Sequence, residues 1–254
     1  MLIKNPELFA KILIILFTFN QANILDEDKL IELLNEIYFQ PYPEFSKQAL
    51  YFRFPNFDNW KRPEGPIKIA IQVGHMLDTT PPLELKKISR TGGVLGPIKE
   101  VEINKLIGFE VKKILEEKGY FVEILPAIIP PEYYADAFVS IHANSTDTSV
   151  SGFMISTPYV DYSGKAHKLK NSIIEAYLKH TNLEFINYAT VNMTHYYAFN
   201  WSKFKRAIHP KTPAVIIEMG NIQNTKDLLT LILGYKKVAE GIAEGIEKFI
   251  KENY

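Results

Sequence analysis

Hydrophobic positions along the chain follow two periods in turn. Short runs of branched and aromatic residues bounded by turn formers recur at 67–73, 120–125, 137–144, 152–156 and 214–217, and runs of this kind predict buried strands. Between them, three segments carry apolar residues at helical spacing. The first, 99–118, places Ile103, Leu106, Ile107, Val111, Ile114 and Leu115 on one side before Gly119 stops it. The second, 163–180, turns Leu169, Ile173, Ile174, Tyr177 and Leu178 inward. The third, 225–251, reads as one long amphipathic helix through Leu228, Leu231, Ile232, Tyr235, Val238, Ile242, Ile246 and Phe249. Strands alternating with helices imply an α/β fold, a three-layer sandwich with a mostly parallel or mixed central sheet flanked by helices.

The remaining stretches are less regular. A helix is predicted over 25–38, with Asp26 as N-cap and Leu30, Leu33, Leu34 and Ile37 on one face. Five prolines over 40–66 indicate an extended linker wrapped on the domain. The segment 76–98 has turn chemistry, Thr79-Thr80-Pro81-Pro82 and Gly92-Gly93, at a length usually reserved for function. Residues 182–212 are aromatic-rich and aperiodic, with His195, Tyr196, Tyr197, Trp201 and His209. Such aromatics either stack on sugar rings or cover a hydrophobic edge, and the structural reading is favoured. At the start, Lys4 and Lys11 accompany the apolar run 12–19, which reads as a secretory signal or N-terminal anchor, against the alternative of an amphipathic helix packed on the domain. The expected organisation is therefore 1–22 as signal or anchor, 23–66 as helix plus linker, and 67–254 as the catalytic domain.

Composition narrows the chemistry. A chain of 254 residues, 46% hydrophobic and 23% charged, can support one substantial core. Lys+Arg and Asp+Glu number 29 each, so no net field favours nucleic acid, and no nucleic-acid partner is expected. Cysteine is absent, which removes thiolate nucleophiles, thiolate metal sites and disulfides. A metal would have to be held by histidine and carboxylate.

Residues of those types fall at element ends. Gly74-His75 follows the strand 67–73, His142 lies near the end of 137–144, Glu218 follows 214–217, and Glu100 opens the helix 99–118. Zinc hydrolases need three such ligands, an open position, and a further carboxylate to take a proton. Each residue also has a structural reading: a turn histidine satisfied by backbone, or, for Glu100, a carboxylate complementing the positive end of its helix. Glu218 is hardest to explain structurally, since a carboxylate in an apolar strand costs several kcal/mol unless paired.

Val73-Gly74-His75, Glu100-Val101-Glu102-Ile103-Asn104, Ser140-Ile141-His142-Ala143-Asn144 and Glu218-Met219-Gly220-Asn221-Ile222-Gln223-Asn224 occur in this order. In these runs the chain resembles the zinc-dependent N-acetylmuramoyl-L-alanine amidases of the amidase 3 type, over residues 67–250. The resemblance implies a phosphorylase/hydrolase-like fold, Zn2+ bound by His75, Glu100 and His142, Glu218 as catalytic base, and Glu102 as the fallback for Glu100. Asn144 would orient His142, contact substrate, or cap the following turn. The implied reaction is hydrolysis of the amide between N-acetylmuramic acid and L-alanine in peptidoglycan, in wall remodelling or daughter-cell separation outside the cytoplasm. Membrane association would be peripheral or through the N-terminal anchor, and the sequence does not specify an oligomeric state. Two departures stand out: Met76 where the family usually has glycine, and a connection of about ten residues between 125 and 137 where it commonly inserts an arginine-containing helix. The alternatives are a zinc peptidase acting on wall peptides and a non-catalytic wall-binding or regulatory homologue.

Overall fold

The computed structural model describes residue 57 and residues 59–254. The expected signal or anchor, the helix over 25–38 and most of the linker lie outside these residues. Strand β1 (Lys68–Val73), a small antiparallel hairpin of β2 (Val94–Leu95) and β3 (Ile98–Lys99), and helix α1 (Glu100–Glu117) come first. They are followed by β4 (Phe121–Leu125), β5 (Ala137–Asn144), β6 (Met154–Ser156) and helix α2 (Ala166–His180). A short helix α3 (Val191–Thr194), strand β7 (Ala214–Asn221) and helices α4 (Thr225–Leu233) and α5 (Tyr235–Asn253) complete the described chain. The main sheet has the order β4-β1-β5-β7-β6, with β6 antiparallel to β7 and the other pairs parallel. This is the α/β sandwich with a mixed sheet that the alternating pattern predicts.

Strand alternation divides the molecule into two layers of packing. One face presents Ile69, Ile71, Val139, Ile141, Val215 and Ile217 to the apolar stripes of α1, α2 and α5. The other presents Ala70, Phe138, Ala214 and Ile216, covered by Met193, Ala198, Phe199 and Ile208 from the aperiodic segment. The short connection after β4 is tied into that cover: His209 N–H donates to the Tyr133 carbonyl at 2.8 Å, and Tyr133 and Ile208 form a parallel bridge. The aromatic segment therefore serves as the third layer.

Two expectations need correction. The last helix is not continuous, because it breaks at Gly234 between α4 and α5; glycine is a weak helix former, and a Cβ there would lie 2.7 Å from the Thr230 carbonyl oxygen. Leu106 and Leu178 are not inward but 41% and 46% exposed, since each lies a 100° step off the stripe that buries Ile107 in one helix and Tyr177 in the other.

Candidate metal centre

The site forms where β1, β5 and β7 end and α1 begins. After β1, Gly74 N–H donates to the Ile141 carbonyl at 2.9 Å, and His75 follows with φ 64°. A left-handed backbone is costly for a residue with a Cβ and clusters at functional sites. Gly74 has to be glycine: a Cβ would fall 2.4–2.6 Å from the His142 ring. The start of α1 has no side-chain cap. Instead, Glu100 N–H and Val101 N–H donate to the carbonyls of Gly93 (2.9 Å) and Thr91 (3.1 Å), and Gly93 N–H returns to Glu100 Oε2 at 2.8 Å. The loop thus satisfies the exposed helix end and fixes the carboxylate at once.

His75, Glu100 and His142 each contribute a ligand-type atom, all within 4.8 Å of one another, and among the described residues they are the one such cluster. His75 Nε2 stands 3.3 Å and His142 Nδ1 3.0 Å from Glu100 Oε1, with the two rings edge to face at 5.0 Å. Asn104 Nδ2 and Ala143 N–H donate to the same oxygen at 3.2 and 3.3 Å. His75 Nδ1 lies 2.9 Å from the Ser89 carbonyl. A carbonyl only accepts, so Nδ1 carries the proton and Nε2 turns a lone pair towards Glu100. His142 Nε2 faces the Tyr196 hydroxyl at 3.4 Å, leaving Nδ1 on the Glu100 side. Lone pairs converging on a carboxylate repel one another unless a cation lies among them. The donor set therefore fits a divalent metal that accepts nitrogen and oxygen ligands.

The same contacts can be held together by protons in the cation's place, and the electrostatics describe that alternative. Burial would raise the Glu100 carboxyl, but hydrogen bonds from His142 and His75 reverse that and hold it far below the usual carboxylate range. Burial lowers His142, outweighing Glu100, and so keeps the ring neutral. At His75, burial acts downward but the Glu100 hydrogen bond and charge raise the ring overall.

Glu218 is the register partner of His142 on the neighbouring strand, so both side chains leave the same face. The residue as a whole is half-buried, yet Oε2 is shielded from solvent and has no hydrogen-bond partner. Burial, and next the Glu100 charge, push its pKa well above the usual carboxylate range. Glu102, the fallback ligand, points out to Lys105 at 3.1 Å and takes no part.

Asn144 does not meet the His142 ring. The register shifts between His142 and Asn144, where Asn144 pairs with Asn221, and the ring nitrogen it was expected to orient faces Tyr196 instead. The sequence gives Asn104 and Gln72 no role, and names Tyr196 only among the aromatics that stack on sugars or cover an edge. Asn104 had a signal, since it lies one turn beyond Glu100 on the same helical face; Tyr196 sits in aperiodic sequence and had none.

Comparison with known proteins bears on the same residues. Residues 129–248 match the family model described as N-acetylmuramoyl-L-alanine amidase, a stretch that holds His142 and Glu218 and begins after His75 and Glu100. No curated protein sequence matches significantly. Among solved structures, the chain is similar to the N-acetylmuramoyl-L-alanine amidase AmiC2 of Nostoc punctiforme, at 20% identity and TM-score 0.51 over 74% of this chain and 99% of that one. It is similar to the amidase Ami1 from Mycobacterium smegmatis at 16% identity and TM-score 0.55, covering 74% and 98%. A third, the amidase from Clostridium difficile 630, shares 15% identity with TM-score 0.53, covering 75% and 100%. At these identities the structural likeness speaks for the fold alone.

Proposed function

We propose that the chain is an N-acetylmuramoyl-L-alanine amidase of type 3, a zinc-dependent hydrolase of the amide between N-acetylmuramic acid and L-alanine in peptidoglycan. The observation that carries the zinc reading is the convergence of His75, Glu100 and His142 within 4.8 Å beside the unpartnered Glu218 oxygen. His75 Nε2, a Glu100 carboxylate oxygen and His142 Nδ1 would hold the metal. The chemistry supplied by bound zinc is Lewis-acid polarisation of the amide carbonyl and acidification of water towards a pKa of about 7.

This chain's residues do the rest. Glu218 accepts a proton from the attacking water, whose oxygen forms the new bond to the carbonyl carbon. It then hands that proton to the alanine nitrogen as the carbon–nitrogen bond breaks. A carboxylate with a raised pKa is a stronger base than a solvated one, and its Oε2, lacking any partner in the protein, is free for that proton. Asn104 and Ala143 hold Glu100 still while charge moves nearby. The products are a lactyl carboxylate on muramic acid and a free amine on the stem peptide. Asn144, on the site rim, is left to contact substrate.

The substrate places the work outside the cytoplasm, in secreted, periplasmic or wall-associated form, consistent with the basic and apolar start at 1–22. Among the described residues no helix is long and apolar enough to cross a membrane; the membrane association proposed is peripheral or through that start. Mass analysis of wall fragments digested by the zinc-loaded full chain tests the reaction. Stem peptides with a free N-terminal alanine are expected. Cuts inside the peptide would make it a peptidase, and zinc binding without any cut would make it a wall-binding module.

A further inference from the structure

His142 touches the rest of the protein through a chain of hydrogen bonds that runs in one direction. We propose that Tyr196 is a positioning residue: with Gln72 and Tyr197 behind it, it holds His142 in the tautomer that leaves Nδ1 free to bind the metal. The inference rests on the zinc reading above and adds a function for the aromatic segment beyond covering the sheet.

The direction is set at the far end, by two backbone carbonyls that can only accept. The Gln72 side-chain atom 3.4 Å from the Pro126 carbonyl must be the amide nitrogen, which also lies 2.7 Å from the Tyr197 hydroxyl. Tyr197 in turn donates to the Ala127 carbonyl. The Gln72 amide oxygen is thereby turned towards Tyr196, whose hydroxyl donates to it at 3.1 Å. A phenol has one proton to give. With that proton directed at Gln72, the Tyr196 oxygen faces His142 Nε2 as an acceptor, at 3.4 Å. Nε2 therefore carries the hydrogen, and Nδ1 presents a lone pair beside Glu100 and His75. If Tyr196 turned its proton to His142 instead, the buried Gln72 oxygen would lose its partner.

This arrangement also explains a glutamine in an apolar strand. Gln72 is fully buried near the C-terminal end of β1, paired in register with Ser140 and Leu125, and a buried amide is tolerated only when satisfied. The Tyr196 ring is held independently of its hydroxyl, edge to face against His142 at 5.6 Å, Tyr197 at 4.8 Å and Phe199 at 5.6 Å. Replacing it with phenylalanine removes the hydrogen bond and keeps the packing. Supporting partners of metal-bound histidines set ligand orientation, and losing one costs about 10–100-fold in metal affinity.

The test compares wild type, Tyr196→Phe and Gln72→Leu as full chains, with folding checked by circular dichroism. Zinc affinity is measured by chelator competition, and the His142 Nε2–H proton is followed by NMR of histidine-labelled, zinc-loaded protein. Wild type is expected to hold one zinc and show a hydrogen-bonded, slowly exchanging Nε2–H. Tyr196→Phe should bind zinc about 10–100-fold more weakly, with that proton exchanging faster. Gln72→Leu should also weaken zinc, because the Tyr196 hydroxyl is then free to donate to Nε2 and oppose the required tautomer. Wild-type affinity and an unchanged Nε2–H signal in both variants would overturn the proposal while leaving the zinc reading intact. Loss in Tyr196→Phe alone would overturn the directional chain. A wild type that holds no zinc would fail the metal reading first and this inference with it. If Gln72→Leu does not fold, the Nε2–H signal in Tyr196→Phe decides.

Discussion

Two carboxylates on neighbouring central segments, one just before β5 and one late in β7, show what separates scaffold from chemistry. Asp136, just before β5, is 1% exposed and fully satisfied: Arg62 Nε and Nη2 donate to it at 2.6 and 2.7 Å, and Lys68 N–H and Tyr134 Oη at 2.9 Å each. Glu218, on β7, has a sheltered oxygen with no partner. Burial acts upward on both. At Asp136 the Arg62 hydrogen bond, followed by Lys68 and Tyr134, reverses it and lowers the pKa, whereas at Glu218 nothing reverses it. One carboxylate fastens the 59–66 segment to the N-terminal end of the central strands. The other is kept in a costly state, which proteins tolerate where a reaction needs it.

Mutation of each should therefore give opposite signatures. The largest effect is expected for Glu218→Gln, with turnover on peptidoglycan fragments falling about 10²–10⁴-fold. Its stability should be unchanged or higher, because an unpaired carboxyl has been removed; chemical denaturation beside the activity assay checks both. Arg62→Ala should do the reverse, costing about 3 kcal/mol by leaving a buried charge unpaired, with activity per folded molecule retained. Acid titration of stability sharpens the contrast. Asp136, lowered in the folded state, contributes stability that is present above the ordinary carboxylate pKa of about 4 and is lost as pH falls through its folded value. Glu218, raised in the folded state, acts in the opposite sense, favouring the fold at low pH and opposing it as pH rises above about 4. Denaturation midpoints against pH should thus lose part of their acid-side slope in Arg62→Ala and part of their slope above pH 4 in Glu218→Gln. The smallest effect belongs to Glu102→Gln, whose exposed ion pair with Lys105 is worth about 0.5 kcal/mol or less; zinc content and activity should match wild type.

The fold was legible because strand alternation and helical period are local signals. The strands at 67–73, 120–125 and 137–144, and the helix after Glu100, lie within a residue or two of where the periodicity places them. The break at Gly234 was not, since the apolar stripe continues through it and only backbone geometry interrupts it. The candidate ligands and base were visible as histidines and carboxylates at element ends, and their proposed roles came from the resemblance of the runs around them. What those residues lean on was hidden. Arg62 reaches Asp136 across 74 positions and Tyr196 reaches Gln72 across 124. No spacing rule links residues so far apart, and the segment bearing Tyr196 has no period to show which way its rings face.

The division between ligands and base is tested most directly by metal content. Full-length wild type, Glu218→Gln and Glu100→Gln, each dialysed against buffer after zinc loading, would be assayed for bound zinc per folded chain. One zinc is expected in wild type and in Glu218→Gln, and a clear loss in Glu100→Gln. Zinc retained in Glu100→Gln but lost in Glu218→Gln would contradict the assignment of both residues.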